Sequence, residues 1–161
     1  VAINKIDINV SLDVFSFEDL PEHMKMLSAK AHDALSSSYS PYSQFKVAAA
    51  VLLANGEIVT GTNQENAAYP AGICAEGTAM SVCASLYPES IPIAIYIIVK
   101  SENDNYSSPV APCGICRQRL LETEYRYKSN LQVWMEGADK MVYKSNSVNN
   151  LMPLAFSSDN L

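Results

Sequence analysis

The sequence predicts an α/β domain of three layers, α/β/α, around one mixed sheet. Three observations carry that prediction. Segments with a helical apolar period alternate with segments of strand character along the 161 residues. Residues 91–99 are apolar on both faces, so that strand needs cover on both sides. Asn55-Gly56 separates two strand-like runs and marks a hairpin, which brings antiparallel pairing into the same sheet. With 48% apolar residues and a mean hydropathy near zero, the chain has enough material for a real core. No internal repeat or linker divides it. Residues 1–161 are expected to form one domain, with residues 1–15 supplying an extra N-terminal strand.

From the N-terminus, residues 6–14 alternate apolar and polar, the pattern of a half-buried strand that adds to the sheet or to a subunit contact. Ser16-Phe17-Glu18-Asp19 resembles a helix start, although Pro21 blurs the boundary. Leu20, Met24, Leu27, Ala31 and Leu35 then recur at helical spacing, predicting an amphipathic helix to about Ser36. The Ser- and Pro-rich segment 36–43 breaks it. Residues 45–54 and 57–62 form the hairpin strands, joined by a type I′ turn at Asn55-Gly56. Ala48, Ala49 and Ala50 make the first of them thin enough for a helix to pack close. A loop over 63–73 leads to a helix from about Cys74 to about Tyr87. After the buried strand come a polar loop over 101–112, a helix from Cys113 to about Tyr125, strands at 131–135 and 140–143, and a short helix at 148–152.

Net charge is −6 and the pI is about 4.8, with no run of Lys or Arg. Such a chain is a poor partner for a phosphate backbone, which favours a small-molecule substrate over a nucleic acid polymer. The longest apolar run, 91–99, is far too short to span a bilayer, so no membrane partner is expected. The N-terminus lacks the pattern of a secretory leader. Four cysteines, two of them in C-x-x-C, fit metal binding in a reducing compartment better than a disulfide scaffold, and the expected location is cytoplasmic.

Two stretches carry the chemistry: Cys74-Ala75-Glu76, and Pro112-Cys113-Gly114-Ile115-Cys116. They hold three potential thiolates and one carboxylate. Zinc accepts three thiolates, and a catalytic zinc keeps its fourth position open for water. The C-x-x-C pair alone fits a redox site or half of a structural zinc knuckle. Glu76 adds a carboxylate that can stand beside the metal and move protons, the pattern of zinc-dependent base deaminases. Both stretches sit where a loop enters a helix, and free N–H groups there favour thiolates. Residues at i and i+2 do not share a face in mid-helix, so Cys74 and Glu76 can face one pocket only at a helix end. Cys83 lies about 180° round the helix from Cys74 and reads as a core thiol. His23 and His32, in the first helix, read as surface or packing residues. A structural zinc with a further ligand, in a non-catalytic interaction protein, stays open as the alternative.

Residues 63–76 (Asn63-Gln64-Glu65-Asn66-Ala67-Ala68-Tyr69-Pro70-Ala71-Gly72-Ile73-Cys74-Ala75-Glu76), together with Pro112-Cys113-Gly114-Ile115-Cys116-Arg117-Gln118, resemble the homotetrameric cytidine deaminase family. The flanking segments 39–47 and 152–158 agree, and the resemblance covers about residues 20–161. It implies a cytidine deaminase-like fold and a Zn2+ ion on Cys74, Cys113 and Cys116, with Glu76 as proton shuttle. It further implies that Asn63 and Glu65 hold ribose hydroxyls, Phe45 lies against the base and the backbone of Ala75 reads the base edge. Phe156 would close a neighbouring subunit's site, so that active sites are shared in a homotetramer. Without the resemblance, Asn63 and Glu65 read as turn residues and the two phenylalanines as core; Tyr69 reads as loop geometry or as a contact with a neighbour. The implied reaction is hydrolytic deamination of cytidine and deoxycytidine to uridine and deoxyuridine with release of ammonia, a step of pyrimidine salvage. Another cytosine-bearing compound is the alternative substrate.

One position departs from that family. After C-A-E it usually carries an arginine that hydrogen-bonds the zinc thiolates; here the residue is Gly77. Arg119, three residues after Cys116, stands where related sequences usually carry an apolar residue. Either the compensating charge has moved to Arg119, bonding a thiolate, or Arg119 is a surface residue and Gly77 leaves a more negative site.

Overall fold

One parallel strand pair sets the architecture. The computed structural model describes residues 3–101 and 108–161. In chain order these form β1 (Asp13–Ser16), α1 (Glu22–Ala34), β2 (Phe45–Leu53), β3 (Ile58–Thr62), α2 (Ala75–Leu86), β4 (Pro92–Ser101), α3 (Gly114–Tyr127), β5 (Gln132–Glu136) and β6 (Met141–Ser145). The strands make one sheet in the order β1-β6-β5-β4-β2-β3. β4 and β5 run parallel, with α3 as the crossover that parallel strands require. The other neighbours are antiparallel, so the sheet is mixed, as the sequence predicts.

Side-chain alternation sorts the core onto two faces. Ala94, Tyr96 and Ile98 of β4 join Met24, Leu27 and Ala31 of α1 on one side. Ile95 and Ile97 join Ala79 and Cys83 of α2 and Leu120 and Leu121 of α3 on the other. Cys83 is thus the core thiol expected, and burial pushes it up to about 11. The thin alanine run serves both faces, with Ala48 and Ala50 towards α1 and Ala49 towards α2. Gly61 pairs with Ala49 across the hairpin. A Cβ at Gly61 would meet the backbone of Ala75 and Ala79 at under 3.0 Å, so α2 lies against β3 with no side chain between them. Among the described residues no helix is long and apolar enough to cross a membrane.

Four local expectations are corrected. The N-terminal strand is Asp13–Ser16 and not 6–14. Its partner β6 is five residues long, and the pairing starts at Asp13 opposite Lys144, so nothing remains for the preceding residues to pair with. Ile6, Ile8 and Val10 are exposed, and Asn150 tethers the segment through both backbone groups of Ser11. The first helix begins at Glu22, after a single 3-10 turn at Phe17–Asp19, because Leu20 precedes Pro21 and is forced into extended backbone. The hairpin closes through three residues, with Gly56 alone of its turn at positive φ (+88°), and so not as a type I′ turn. The short C-terminal helix is one 3-10 turn, Asn149–Leu151, cut off by Pro153. Residues 1–2 of the expected N-terminal strand and 102–107 of the expected loop lie outside the described residues.

A buried carboxylate fastens α1 to the sheet. Glu136 of β5 accepts hydrogen bonds from Ser28 Oγ at 2.7 Å, Tyr96 Oη at 2.9 Å and Lys140 Nζ at 3.0 Å, with His32 Nε2 at 3.3 Å. Burial alone would push its carboxyl up, but these four partners together hold it down at about 2. A folded value below the ordinary 4.5 means that the contribution to stability is complete above that value and is lost as pH falls from about 4.5 to about 2. Acid titration of the unfolding midpoint should therefore fall through this window, and Glu136→Gln should flatten that slope. The Gly61 contact gives a second expectation. Gly61→Ala should cost about 2–3 kcal/mol in denaturant unfolding, because backbone has to move. Gly114→Ala, with nothing within 4 Å of the new methyl, should fall within about 0.5 kcal/mol of the parent.

Candidate active site

The N-termini of α2 and α3 converge on one point. Cys74 is the N-cap of α2 and Cys113 the N-cap of α3, both in extended backbone and neither spending its side chain on a cap bond. Cys116 follows in the first turn of α3. The three sulfurs lie within 4.8 Å of one another, with Cys74 and Cys113 3.9 Å apart. Sulfurs at about 2.3 Å from a tetrahedral zinc are about 3.8 Å apart, so the donor set and its spacing fit that ion. A hydrogen bond from Cys116 is the main reason that the Cys74 thiol sits at about 6, while the same bond and burial push Cys116 up. Between them the pair shares one proton, which a divalent cation would displace.

Arg117 braces the second stretch. Its Nε donates to Pro112 O at 2.8 Å and its Nη1 to Leu151 O at 2.9 Å, tying the P-C-x-x-C turn to the C-terminal segment. In sequence, the signal for Arg117 is its place directly after the last cysteine of the motif.

Glu76 stands in the first turn of α2 and is 5% exposed. Burial pushes its carboxyl above the usual range, opposed by smaller hydrogen-bond contributions. It lines a cleft of about 670 Å³ together with Cys74, Ala75 and Cys113. Val47, Ile97 and Val99 give the cleft an apolar wall, and Phe45, Asn63 and Glu65 lie along it. The opening is at the carboxyl end of β4, where ligands collect in open α/β sheets. Ala75 is the first residue of α2, where the helix makes no use of the backbone N–H. Glu65 Oε2 accepts the N–H groups of Tyr42 at 2.9 Å and Ser43 at 3.3 Å. A hydrogen bond from the Ser43 side chain is the largest of the influences that hold the Glu65 carboxyl below its usual range. Ser43 lines the cleft and is not among the site residues expected from sequence, although it lies in the family-like segment 39–47.

Of the nine residues expected to bind metal or substrate or to move the proton, the fold brings all but Cys116 and Phe156 to the cleft wall. Cys116 lies behind Cys74, fully buried. Phe156 is 60% exposed, does not line the cleft of its own chain, and is held through its carbonyl by Gln118 Nε2. Tyr69, 79% exposed, stands edge-on to Tyr42. His23 is exposed, and His32 belongs to the Glu136 network.

The departure at Gly77 has a structural counterpart. Arg119 reaches from α3 across to α2, and its Nη1 occupies the place that a Cβ on Gly77 would need. Its charge is among the lesser influences that lower the Cys74 thiol. Among the described residues no hydrogen bond joins Arg119 to a sulfur, so the guanidinium acts through space and by filling the gap over the glycine.

Comparison with known proteins agrees with this geometry. The family of the cytidine and deoxycytidylate deaminase zinc-binding region matches residues 21–129. A cytidine deaminase of Halalkalibacterium halodurans is 32% identical over 145 residues, spanning 85% of this chain and 96% of the relative. The crystal structure of a cytidine deaminase from Burkholderia pseudomallei superposes with a TM-score of 0.71 at 33% identity, covering 85% of this chain and all of the other. That of the Mycobacterium tuberculosis cytidine deaminase gives 0.64 at 30% identity, covering 83% and 97%.

The packing of Arg119 on Gly77 is testable by exchange. Gly77→Arg alone should destabilise by up to about 1 kcal/mol, because the new Cβ displaces the Arg119 guanidinium, the end of an exposed and flexible side chain. Adding Arg119→Ala should recover most of that loss in the same unfolding measurement.

Proposed function

The chain belongs to the cytidine and deoxycytidylate deaminase family, its reaction is the zinc-dependent deamination of cytidine, and from that premise we propose the residues that perform it. The observation that carries the reading is the burial of Glu76 beside three clustered thiols, in a cleft of about 670 Å³ that suits a nucleoside. Cys74, Cys113 and Cys116 hold the zinc. When bound, the ion supplies a Lewis acid that makes water nucleophilic near neutral pH.

Glu76 takes the proton of the attacking water and returns protons to the ring nitrogen of the base and to the departing amine, which leaves as ammonia. A carboxyl raised by burial suits both halves of that task, since one group has to be base and then acid. The Ala75 N–H and its neighbours at the start of α2 offer donors to the base edge. Phe45 lies against the base. Asn63 has one N–H of its amide unspent, and Glu65 keeps Oε1 free of the bonds that hold Oε2, giving a donor and an acceptor for the ribose hydroxyls. Deoxycytidine is the second substrate proposed, since deoxyribose keeps the 3′-hydroxyl for this pair to hold. The acidic chain, at −6, supports a free nucleoside over a polymer, and pyrimidine salvage in the cytoplasm is the setting.

Phe156 and Tyr69 project from the subunit, which supports a homotetramer in which Phe156 completes a neighbour's cleft. Sedimentation should then give four subunits, and Phe156→Ala should lower turnover although the residue does not line its own cleft. For the chemistry, cytidine turnover is followed by the ultraviolet change to uridine. Glu76→Gln should retain zinc, at about one ion per chain, and lose turnover by about a hundred- to ten-thousand-fold. Cys113→Ser should lose the ion as well.

A further inference from the structure

The Asn63 amide is bonded on three sides. Its Oδ1 accepts the Ser38 hydroxyl at 2.6 Å and the Val47 N–H at 2.8 Å, while Nδ2 donates to Phe45 O at 2.8 Å. An amide oxygen with two donors on it is saturated, and an amide nitrogen with one acceptor keeps one N–H. Rotating the amide by half a turn would set its NH2 against the Val47 N–H and its oxygen against the Phe45 carbonyl. The group can therefore present the cleft with a donor and never with an acceptor.

Two of the three partners, Val47 N–H and Phe45 O, are main chain of β2 and are common to any side chains there. The third is a side chain, and it comes from another part of the molecule. Ser38 follows the 3-10 turn Leu35–Ser37 at the end of α1, with its N–H bonded to Leu35 O. The next residue, Tyr39, gives its N–H to Asn63 O at 3.0 Å and accepts the Glu65 N–H at 2.8 Å. Segment 38–39 thus runs beside 63–65 and grips it by backbone at Tyr39 and by side chain at Ser38.

We propose that Ser38 is a positioning residue for sugar recognition, its hydroxyl holding the Asn63 amide so that the unspent N–H meets a ribose hydroxyl. The proposal rests on the reading of Asn63 as a ribose contact. Ser38 does not line the cleft and touches no substrate; it acts through Asn63. Removing its hydroxyl leaves Asn63 Oδ1 with one donor and lets the side chain swing, so the loss falls on sugar binding and not on the base or the chemistry.

The test compares inhibition of cytidine turnover by uridine and by 2′,3′-dideoxyuridine, which lacks the 2′- and 3′-hydroxyls of the ribose. Ser38→Ala should weaken uridine about five- to tenfold, the worth of one hydrogen bond or slightly more, and leave dideoxyuridine unchanged. Ser38→Thr, which keeps the hydroxyl, should restore the parent value for uridine. Equal weakening of both inhibitors would mean a merely structural role and would overturn the proposal, as would no change in either. Asn63→Ala is the reference arm. If it also leaves the gap between the two inhibitors intact, the ribose reading of Asn63 fails and takes this proposal with it. If it closes the gap while Ser38→Ala does not, the positioning role alone is wrong.

Discussion

The site depends on a contact that has no side chain on one of its two surfaces. Gly61 of β3 lies against the backbone of Ala75 and Ala79, and that approach brings the first turn of α2 down onto the hairpin. Cys74, Ala75 and Glu76 belong to that turn, while Phe45 and Asn63 belong to the hairpin or its end. Any spacer between β3 and α2 would lift the metal ligand and the proton carrier away from the residues proposed to hold the nucleoside. The alanines at 48–50 allow the same closeness on the neighbouring strand. The core here is thin so that the cleft can be narrow. Large aliphatic side chains take over in β4, where the sheet has no such duty.

Charge is arranged with similar economy. Three thiolates around a divalent ion leave a net negative centre, and the groups that answer it are helix N-termini and one arginine from the opposite helix. Arg119 holds its place because Gly77 leaves the room, so the glycine and the arginine form one unit spanning two helices. Glu76 is part of this balance, its charge raising the Cys74 and Cys116 thiols; burial outweighs the Cys116 bond that lowers its own carboxyl, and the raised group suits the carrying of a proton. Far from the cleft, Glu136 shows the opposite outcome. Four hydrogen-bond partners overcome burial there and keep the carboxylate charged as a fastener between α1 and the sheet.

Most of the architecture was legible because patterns of two and of 3.6 residues report which face is buried. Residues 91–99, apolar on both sides, did become a strand covered on both faces, and the C-x-E and P-C-x-x-C stretches did fall at helix starts. Periodicity failed where burial depended on something other than the segment itself. Residues 6–14 have the alternation of a strand, but only a partner of sufficient length could bury them, and β6 stops short. Asn55-Gly56 correctly marked a hairpin, while the turn type depended on the register of its two strands. In the site, residues with distinctive chemistry could be named from the sequence. Ser38, Ser43 and Arg117 could not, because their importance lies in which atoms they hold, and only the folded chain supplies those partners.

The pairing of β1 with β6 joins the two ends of the chain, and Asn146 donates to Asp13 across 133 residues. On the ribosome, at about 5–20 residues per second, that partner arrives roughly 7 to 27 seconds after the strand that needs it. The central hairpin closes within about 10 μs of being made. During the interval Val14 and Phe15 have no strand to pair with. β1 is thus docked long after it is made, and the charged and polar residues Lys5, Asp7, Asn9 and Ser11 keep the segment before it, which joins no strand even in the folded chain, in solution throughout.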